Sequence, residues 1–448
     1  MRLTVPPLEI AEDEGFSDDK DIFKRKGFGE QLSNLIENTE GELVIALDAP
    51  WGEGKSTFVK MWRGHLKTNG IQSIYFDAFE NDHQSAPFLA LAAEIYNLIG
   101  KNEDEKTKFK DVAVSALKTT GRISLRVGIK ALTAGILDET VFVNYGTNKD
   151  LSKETAAAVD GYVSNRLKSA SKDKESIKEF RDYLENLPTL LGTNGKPLVF
   201  IIDELDRCKP PFALEIVEIV KHLFAVPNIT FVLVLNRTQL EASVKNEYGT
   251  ADASAYLQKF INLWVSLPKV QVSDERTTKV YFSYCVKQMG IEAQTDHQKI
   301  WMAMFEELID HYNLSLREIE RCLTNFALIW AGLHYETRSS YQWIAVYLSI
   351  IKVRYQPQYK RLSSSKPLSH EELFEKTDLS GLNNDAWVHR NIEPNHALKW
   401  VLRYHLSNDD TKKKLRAAEN PIAIYESLSI NERTIEILCG WLDSVRMS

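Results

Sequence analysis

The fold is decided by the stretch Leu43-Val44-Ile45-Ala46-Leu47-Asp48-Ala49-Pro50-Trp51-Gly52-Glu53-Gly54-Lys55-Ser56-Thr57. The five apolar residues at its start have the length and composition of a strand that is buried on both faces. A phosphate-binding loop needs glycine where the chain turns tightly, a lysine that reaches the β and γ phosphates, and a hydroxyl for Mg²⁺. Gly54, Lys55 and Ser56 stand at these positions. We therefore predict a nucleotide site formed by residues 49–57.

A second apolar strand pattern ends in two acids, since residues 198–202 are followed by Asp203 and Glu204. A carboxylate at the end of a buried strand lies at the edge of the sheet, where it can hold Mg²⁺ through water. An adjacent acid can polarise the attacking water. We assign Asp203 to the metal and Glu204 to the general base. The following pair, Asp206 and Arg207, fits either a local ion pair or a contact across a subunit boundary.

A third apolar run, residues 229–235, ends at Asn236. An amide at this place can order the attacking water or sense the γ phosphate. Asparagine is also common in a turn that ends a strand, so the residue type fits both interpretations. We predict the sensing role.

Strand and helix patterns alternate through residues 1–268, which predicts a doubly wound α/β domain whose parallel sheet is covered on both faces. Residues 101–195 are charge-rich and interrupt the alternation as a predicted helical insertion. Four basic residues within it recur every four positions and form one helix face: Lys118, Arg122, Arg126 and Lys130. This pattern is typical of a solvated helix, and it also fits an amphipathic helix that binds a membrane surface or a partner.

The chain after Pro268 shows helical patterns and no further strong strand pattern. We divide this all-helical part into an extension of the nucleotide module, residues 269–335, and a C-terminal domain, residues 336–448.

Composition excludes several classes of protein. Of the 448 residues, 44% are hydrophobic and 26% are charged, so the chain is neither wholly disordered nor of low complexity. A net charge of −7 disfavours a surface that binds nucleic acid over its whole extent. The four cysteines lack metal-site spacing, there is no signal-peptide pattern, and no apolar run approaches about 18 residues. We expect a cytoplasmic chain without a transmembrane span.

Together these pieces resemble the KAP family of P-loop NTPases, a branch near the AAA+ and STAND ATPases. The matching motifs, in chain order, are Pro50-Trp51-Gly52-Glu53-Gly54-Lys55-Ser56, Tyr75-Phe76-Asp77-Ala78-Phe79, Asp203-Glu204-Leu205-Asp206-Arg207-Cys208, the strand ending at Asn236, Tyr256-Leu257-Gln258-Lys259-Phe260-Ile261 before Leu267-Pro268, and Leu316-Arg317-Glu318-Ile319-Glu320-Arg321. This ordered set spans residues 15–330 and is much more specific than the loop alone.

The resemblance implies ATP and Mg²⁺ as ligands, and three residues depart from the family pattern. Ala49 replaces a glycine, Glu204 stands where a second aspartate is usual, and Asn236 stands where an aspartate is common. Many members carry membrane spans inside the NTPase domain, but the insertion here is too charged to span. Bacterial members include proteins linked to exclusion of bacteriophage, which makes antiviral defence an expected role.

Arg317 follows Ser315, which can cap a helix with Glu318 as its capping-box partner three residues on. An arginine in the first turn of that helix can reach a γ phosphate supplied by the α/β domain. It can equally be a surface arginine paired with Glu318 or Glu320. We predict that Arg317 senses the nucleotide.

Between Thr337 and His370 there are six basic residues and no acid, with aromatic residues interleaved: Arg338, Lys352, Arg354, Lys360, Arg361 and Lys366, with Tyr341, Trp343, Tyr347, Tyr355 and Tyr359. Nucleic-acid surfaces combine cations with stacking rings. However, the apolar residues around Trp343 recur at helical spacing, which favours a buried helix followed by a basic loop over a nucleic-acid site.

The sequence thus predicts an ATP-binding, Mg²⁺-dependent hydrolase that acts as a nucleotide-driven switch on a protein partner, an effector or its own assembly into a homo-oligomer. In this interpretation Lys55 stabilises the phosphates, Ser56 and Asp203 hold the metal, and Glu204 activates water. Two alternatives remain open. One is a nucleic-acid-stimulated ATPase that uses residues 338–366, and the other is a nucleotide-gated scaffold that binds ATP without useful turnover.

Overall fold

A five-stranded parallel sheet lies at the centre of the N-terminal part of the chain in this computed structural model. The structure describes residues 1–12, 14–84, 86–124, 153–249, 252–269, 276–291, 296–334, 338–362, 368–382, 394–417 and 434–444. The strands are β1 Leu43–Asp48, β2 Ser73–Asp77, β3 Leu198–Asp203, β4 Ile229–Leu235 and β5 Leu263–Ser266, in the order β2-β3-β4-β1-β5. All neighbours are parallel. Because the strands run in one direction, their carboxyl ends meet at one edge.

The three continuous apolar runs are confirmed as β1, β3 and β4, and the short strand expected over residues 71–76 is β2. Strand β5 is an addition that the sequence did not predict. Every residue of β3 and β4 is buried, whereas β5 is half-buried and ends in an exposed serine. A short edge strand of this kind lacks the apolar run on which the prediction depended.

Helices cover both faces of the sheet, as predicted for a doubly wound domain. The helices are α1 Lys26–Glu37, α2 Lys55–Thr68, α3 Pro87–Leu98, α4 Glu103–Ser124, α5 Lys153–Leu190, α6 Pro210–Ile219, α7 Arg237–Tyr248 and α8 Ala253–Leu257. Helices α1 and α2 pack against side chains such as Ile45 and Leu47 on one face. Helices α3 and α6 pack against Val44 and Ala46 on the other. Alternate residues of a strand point to opposite faces, so β1 contributes to both cores.

The predicted insertion between β2 and β3 is helical where the structure describes it. Helices α4 and α5 pack against each other, and Phe109 and Phe180 join the core formed by α3. Of the four basic residues that define the amphipathic face, Arg126 and Lys130 lie outside the described residues. Within the parts of the chain that the structure describes, no helix is both long and apolar enough to cross a membrane.

The chain after Pro268 is helical throughout its described ranges, as predicted. Its helices are α9 Thr277–Met289, α10 Asp296–His311, α11 Leu316–Gly332, α12 Arg338–Arg354, α13 Gln356–Leu362, α14 His370–Lys376, α15 Pro394–His405, α16 Asp409–Ala417 and α17 Thr434–Ser444. One hydrophobic core runs from α9 to α17 and includes Phe326 and Trp330 before residue 335 and Ile344 and Tyr347 after it. The proposed boundary at residue 335 stays a prediction, and this core is continuous across it.

Candidate active site

The loop between β1 and α2 turns on two glycines at the carboxyl edge of the sheet. Gly52 has φ 85° and Gly54 has φ 77°, in the left-handed region where glycine avoids the strain of a Cβ. Ala49, which replaces a family glycine, does not have a positive φ. Alanine therefore fits position 49 without backbone strain. Helix α2 begins at Lys55 with no side-chain cap, so its first N–H groups are available to an anion.

The side chain of Lys55 turns back toward the start of this loop. Its buried ammonium Nζ donates to the carbonyl oxygens of Ala49 at 2.6 Å and Pro50 at 3.3 Å. Burial lowers the pKa of the Lys55 amine, while the carboxylates of Asp206, Asp203 and Asp48 act in the opposite direction. The lysine thus lies within the loop, as its predicted phosphate-binding role requires.

Asp203, at the end of β3, is 0% exposed and accepts hydrogen bonds from three elements. The Glu204 N–H donates to its Oδ1 at 2.8 Å, the Tyr75 hydroxyl donates to its Oδ2 at 3.1 Å, and the Ser56 hydroxyl also bonds to it. Burial raises the pKa of the Asp203 carboxyl above its ordinary value, and these hydrogen bonds offset only part of that rise. A hydroxyl and a carboxylate held side by side match the oxygen donors that Mg²⁺ takes in nucleotide sites.

Glu204 has φ 58°, a left-handed backbone conformation for a non-glycine residue. Its carboxylate pairs with Arg207 at 2.8 Å. Burial raises the pKa of the Glu204 carboxyl above its ordinary value, and the charge of Arg207 offsets only part of that rise. The neighbouring Asp206 accepts a hydrogen bond from the indole N–H of Trp51 in the phosphate loop. Asp206 and Arg207 thus have different partners and do not form the predicted local ion pair with each other, while the alternative of a contact across a subunit boundary stays a prediction.

Asn236 ends β4 and caps α7, with its side-chain oxygen accepting from the Thr238 N–H at 3.1 Å. It does not line the cavity that Lys55, Ser56 and Arg317 border beside the phosphate loop, and neither do Asp203 and Glu204. The next residue, Arg237, donates its backbone N–H to the Asp48 carboxylate at 2.8 Å. The sensing role of Asn236 stays a prediction.

Arg317 lies directly against the phosphate loop. A Cβ added to Gly52 would stand 3.0 Å from the Arg317 Cβ, and both residues line a cavity of about 400 Å³. The predicted capping box is present, since Ser315 and Glu318 bond reciprocally at the start of α11. Glu318 also pairs with Arg354, and Glu320 accepts from Tyr281. Both candidate acidic partners of Arg317 thus have other contacts, and the sensing role of Arg317 stays a prediction.

Arg25 is a residue of this site that the sequence analysis missed. Its side chain lines the cavity, is 2% exposed, and donates to the backbone oxygens of Glu53 at 2.9 Å and Pro268 at 3.2 Å. Burial lowers its pKa to about 10. Arg25 therefore joins the N-terminal segment to the phosphate loop and to the chain after β5. The sequence feature closest to Arg25 is Asp21, whose carboxylate accepts hydrogen bonds from the backbone N–H groups of Arg25 and Lys26 and so orders the chain at this point.

The far end of the cavity is aromatic. The ring of Tyr281 lies 5.8 Å from that of Phe23 and 6.1 Å from that of Tyr284, and all three residues line the cavity. Such rings offer a planar base a stacking surface. The cavity thus has a backbone-amide end at α2 and an aromatic end between the N-terminal segment and α9.

Comparison with known proteins agrees with this geometry, because the KAP family P-loop domain matches residues 25–333. The chain belongs to this family. The resemblance noted from the motifs is confirmed, and so is the fold class of a P-loop NTPase domain followed by helices. KAP family membership makes the chain a P-loop protein with a nucleotide-binding fold.

Individual relatives of this KAP chain match over short parts of their length. It is 26% identical to the phage T7 exclusion protein of Escherichia coli (strain K12) over 141 residues, 30% of this chain and 18% of that protein. It is 36% identical to an uncharacterized protein of Methanocaldococcus jannaschii over 70 residues, 15% of this chain and 36% of that protein. The chain thus matches well under two thirds of either relative.

Among solved structures, the ORC2 protein of Aeropyrum pernix in its ADP form aligns with 95% of this chain and 98% of its own, at a TM-score of 0.35 and 10% identity. The same protein with ADPNP and ADP aligns at a TM-score of 0.34 and 11% identity.

Proposed function

We propose that this KAP protein binds ATP with Mg²⁺ and hydrolyses it. The observation that carries the proposal is the convergence of the uncapped start of α2, Lys55, and the bonded pair Ser56 and Asp203 at one edge of the sheet. An uncapped helix N-terminus favours phosphate, and the lysine adds a cation beside it. The aromatic end of the cavity supports a base at the other side.

Ser56 and Asp203 would hold the metal, which neutralises charge on the phosphates when bound. Glu204, next along the chain, is the general base. It takes one proton from water as the water oxygen bonds to the γ phosphorus and the bond to the bridging oxygen breaks. The products are ADP and inorganic phosphate. Lys55 and the α2 amides stabilise the charge that develops on the phosphate oxygens.

We further propose that the nucleotide acts as a switch through α11. Arg317 touches the phosphate loop at Gly52, and α11 belongs to the core that runs to α17. A bond from Arg317 to a γ phosphate would transmit the nucleotide state to the whole helical region. Controlled assembly or the binding of a protein effector would be the output. The match to a phage exclusion protein supports a role in defence against bacteriophage.

Within the described part of the basic segment, residues 338–362, the contacts do not favour the nucleic-acid alternative. Lys352 pairs with Asp443, Arg354 with Glu318, and Arg361 with Glu372. Trp343, Tyr347 and Tyr359 are buried, as expected for the buried helix, but Lys360 and Arg361 lie in helix α13 rather than in the predicted basic loop.

Hydrolysis is tested by comparing the parent with Glu204→Gln in a phosphate-release assay with ATP and Mg²⁺. The variant keeps size and hydrogen bonding but cannot act as the base, so turnover should fall about 10²–10⁴-fold while ATP affinity stays near the parent's. Parental turnover in Glu204→Gln would refute the assignment of the base. A parent that binds ATP without turnover would instead support the scaffold alternative.

A further inference from the structure

A single short turn, residues 204–207, follows the proposed metal ligand and makes two outward contacts. Leu205–Arg207 form one 3₁₀ turn, and Leu205 is buried in the core of the sheet. Asp206 accepts a hydrogen bond from Trp51, and Arg207 forms an ion pair with Glu204. One contact reaches the phosphate loop and the other holds the proposed base.

The pair of Arg207 and Glu204 uses only one oxygen of the carboxylate. Arg207 Nη1 lies 2.8 Å from Glu204 Oε2, and the side chains are 36% and 17% exposed. Within the described ranges, Oε1 makes no hydrogen bond. A carboxylate has two oxygens that can each accept, so a cation that fixes one of them orients the other. Glu204 is thus held in place while Oε1 stays available to water.

The turn is attached to the phosphate loop by Asp206. Its carboxylate is nearly buried and accepts the indole N–H of Trp51, which lies between Pro50 and Gly52. Trp51 itself is 43% exposed, so its position does not come from burial in a hydrophobic core. The bond connects the loop that receives the phosphates to the turn that carries the base.

We propose that Arg207 is a positioning residue for Glu204, and that Trp51, acting through Asp206, fixes this pair relative to the phosphate loop. The proposal rests on the proposed function and adds the residues that orient its base. Arg207 contributes to turnover through Glu204, because it aligns Oε1 with the water whose proton it receives. Misplaced catalytic groups lose rate steeply, which makes such alignment valuable.

The test is a double-mutant cycle of Arg207→Ala and Glu204→Gln, with turnover, KM and the affinity for a fluorescent ADP analogue measured for each variant. Arg207→Ala alone should lower kcat about 10–100-fold and leave KM and ADP affinity within about threefold. In the Glu204→Gln background the same change should lower kcat no further, since its effect passes through the base. Arg207→Lys, which keeps a cation, should recover part of kcat.

Matched controls separate positioning from folding. Lys209→Ala removes an exposed cation two residues further on that pairs with Asp82, and it should keep parental kcat. Trp51→Phe keeps a ring and loses the N–H donor, and we expect a loss of about 3–10-fold in kcat, measured well below the thermal midpoint because Asp206 loses a hydrogen-bond partner and some stability with it. Parental kcat in Trp51→Phe would overturn the tie to the phosphate loop.

The outcomes distinguish the two proposals. An additive loss from Arg207→Ala in the Glu204→Gln background, or a loss of ADP affinity as large as the loss of kcat, would overturn the positioning role and indicate a nucleotide contact. Parental turnover in Glu204→Gln would overturn the proposed function and this inference with it. An inactive Glu204→Gln together with parental turnover in Arg207→Ala would overturn only the inference.

Discussion

Two helix N-termini face the same cavity, and they are finished in different ways. Helix α2 starts after Gly54 with no side-chain cap, whereas α11 starts at a complete capping box of Ser315 and Glu318. A helix start leaves several N–H groups without helical partners. In α11 the protein's own side chains occupy some of these groups, and in α2 they do not.

The presence or absence of a side-chain cap suits the two helices to different proposed roles. An uncapped N-terminus is a binding site for phosphate through backbone amides and the helix dipole. A capped N-terminus offers fewer free amides, and α11 instead places the side chain of Arg317 against the phosphate loop. In the proposed function, α2 binds phosphate with its backbone amides and α11 senses it with the Arg317 cation. The following predictions test that division, beginning with the largest effect.

Lys55→Ala removes the cation at the uncapped helix. Two hydrogen bonds to phosphate, each worth about 1.5–3 kcal/mol, would be lost, so ATP affinity should fall about 10²–10⁴-fold and turnover should vanish. Isothermal titration with ATP measures the affinity. Lys60→Ala, an exposed position of the same helix, should behave as the parent. Parental turnover in Lys55→Ala would refute the phosphate-loop assignment.

Arg317→Ala removes the cation at the capped helix. Because Arg317 is proposed to contact only the γ phosphate, ATP affinity should fall about 10–100-fold while ADP affinity stays within about threefold. Any change in shape or assembly between ADP and a non-hydrolysable ATP analogue should disappear, which small-angle scattering or size-exclusion chromatography measures. A variant that responds to ATP as the parent does would contradict the sensing role.

Gly54→Ala strains the start of α2 without changing its charge. Forcing a Cβ into φ 77° costs about 1–2 kcal/mol, and Arg25 Nη1 lies 3.3 Å from that Cβ. ATP affinity should drop about tenfold. Gly70→Ala is the matched control, with φ 72° and open space around it. Gly70→Ala should lower the thermal midpoint about as much as Gly54→Ala does, but it should leave ATP affinity intact. Equal losses of ATP affinity in the two variants would refute an effect specific to the phosphate loop.

Ser315→Ala removes the cap of α11 and should have the smallest effect, about 1 kcal/mol of stability. Ser369→Ala removes the cap of a second capping box, at α14, and should cost a similar amount. Only Ser315→Ala should also weaken the response to ATP, because only α11 carries Arg317. Thermal unfolding and the same scattering experiment check both variants, and a weakened response in Ser369→Ala would show that the cap acts globally.

The sequence was sufficient to predict local features of the fold and the site. Apolar runs identified the three inner strands β1, β3 and β4, and spacing alone identified Gly54, Lys55 and Ser56. The edge strand β5 was missed because only part of it is buried. The fold-class prediction and the family resemblance were confirmed, while the roles of the individual site residues stay predictions.

Contacts between distant parts of the chain could not be predicted in the same way. Arg25 bonds to Pro268 across 243 residues, Trp51 to Asp206 across 155, and Tyr75 to Asp203 across 128. No local pattern encodes such pairings, since they exist only once the strands are in register. The capping-box pattern predicted that Arg317 lies in the first turn of a helix. Its contact with Gly52 could be seen only in the structure.

The continuous helical core has a consequence for how this protein can be divided. Phe23, ahead of the first helix, packs into the same core as Leu438 and Leu442 near the end of the described chain. The family match ends at residue 333, inside that core, between α11 and α12. The family match is therefore shorter than the part of the chain that shares this core. A fragment cut at the homology boundary would expose the apolar face of α11 and lose the helices that hold Arg317 in place.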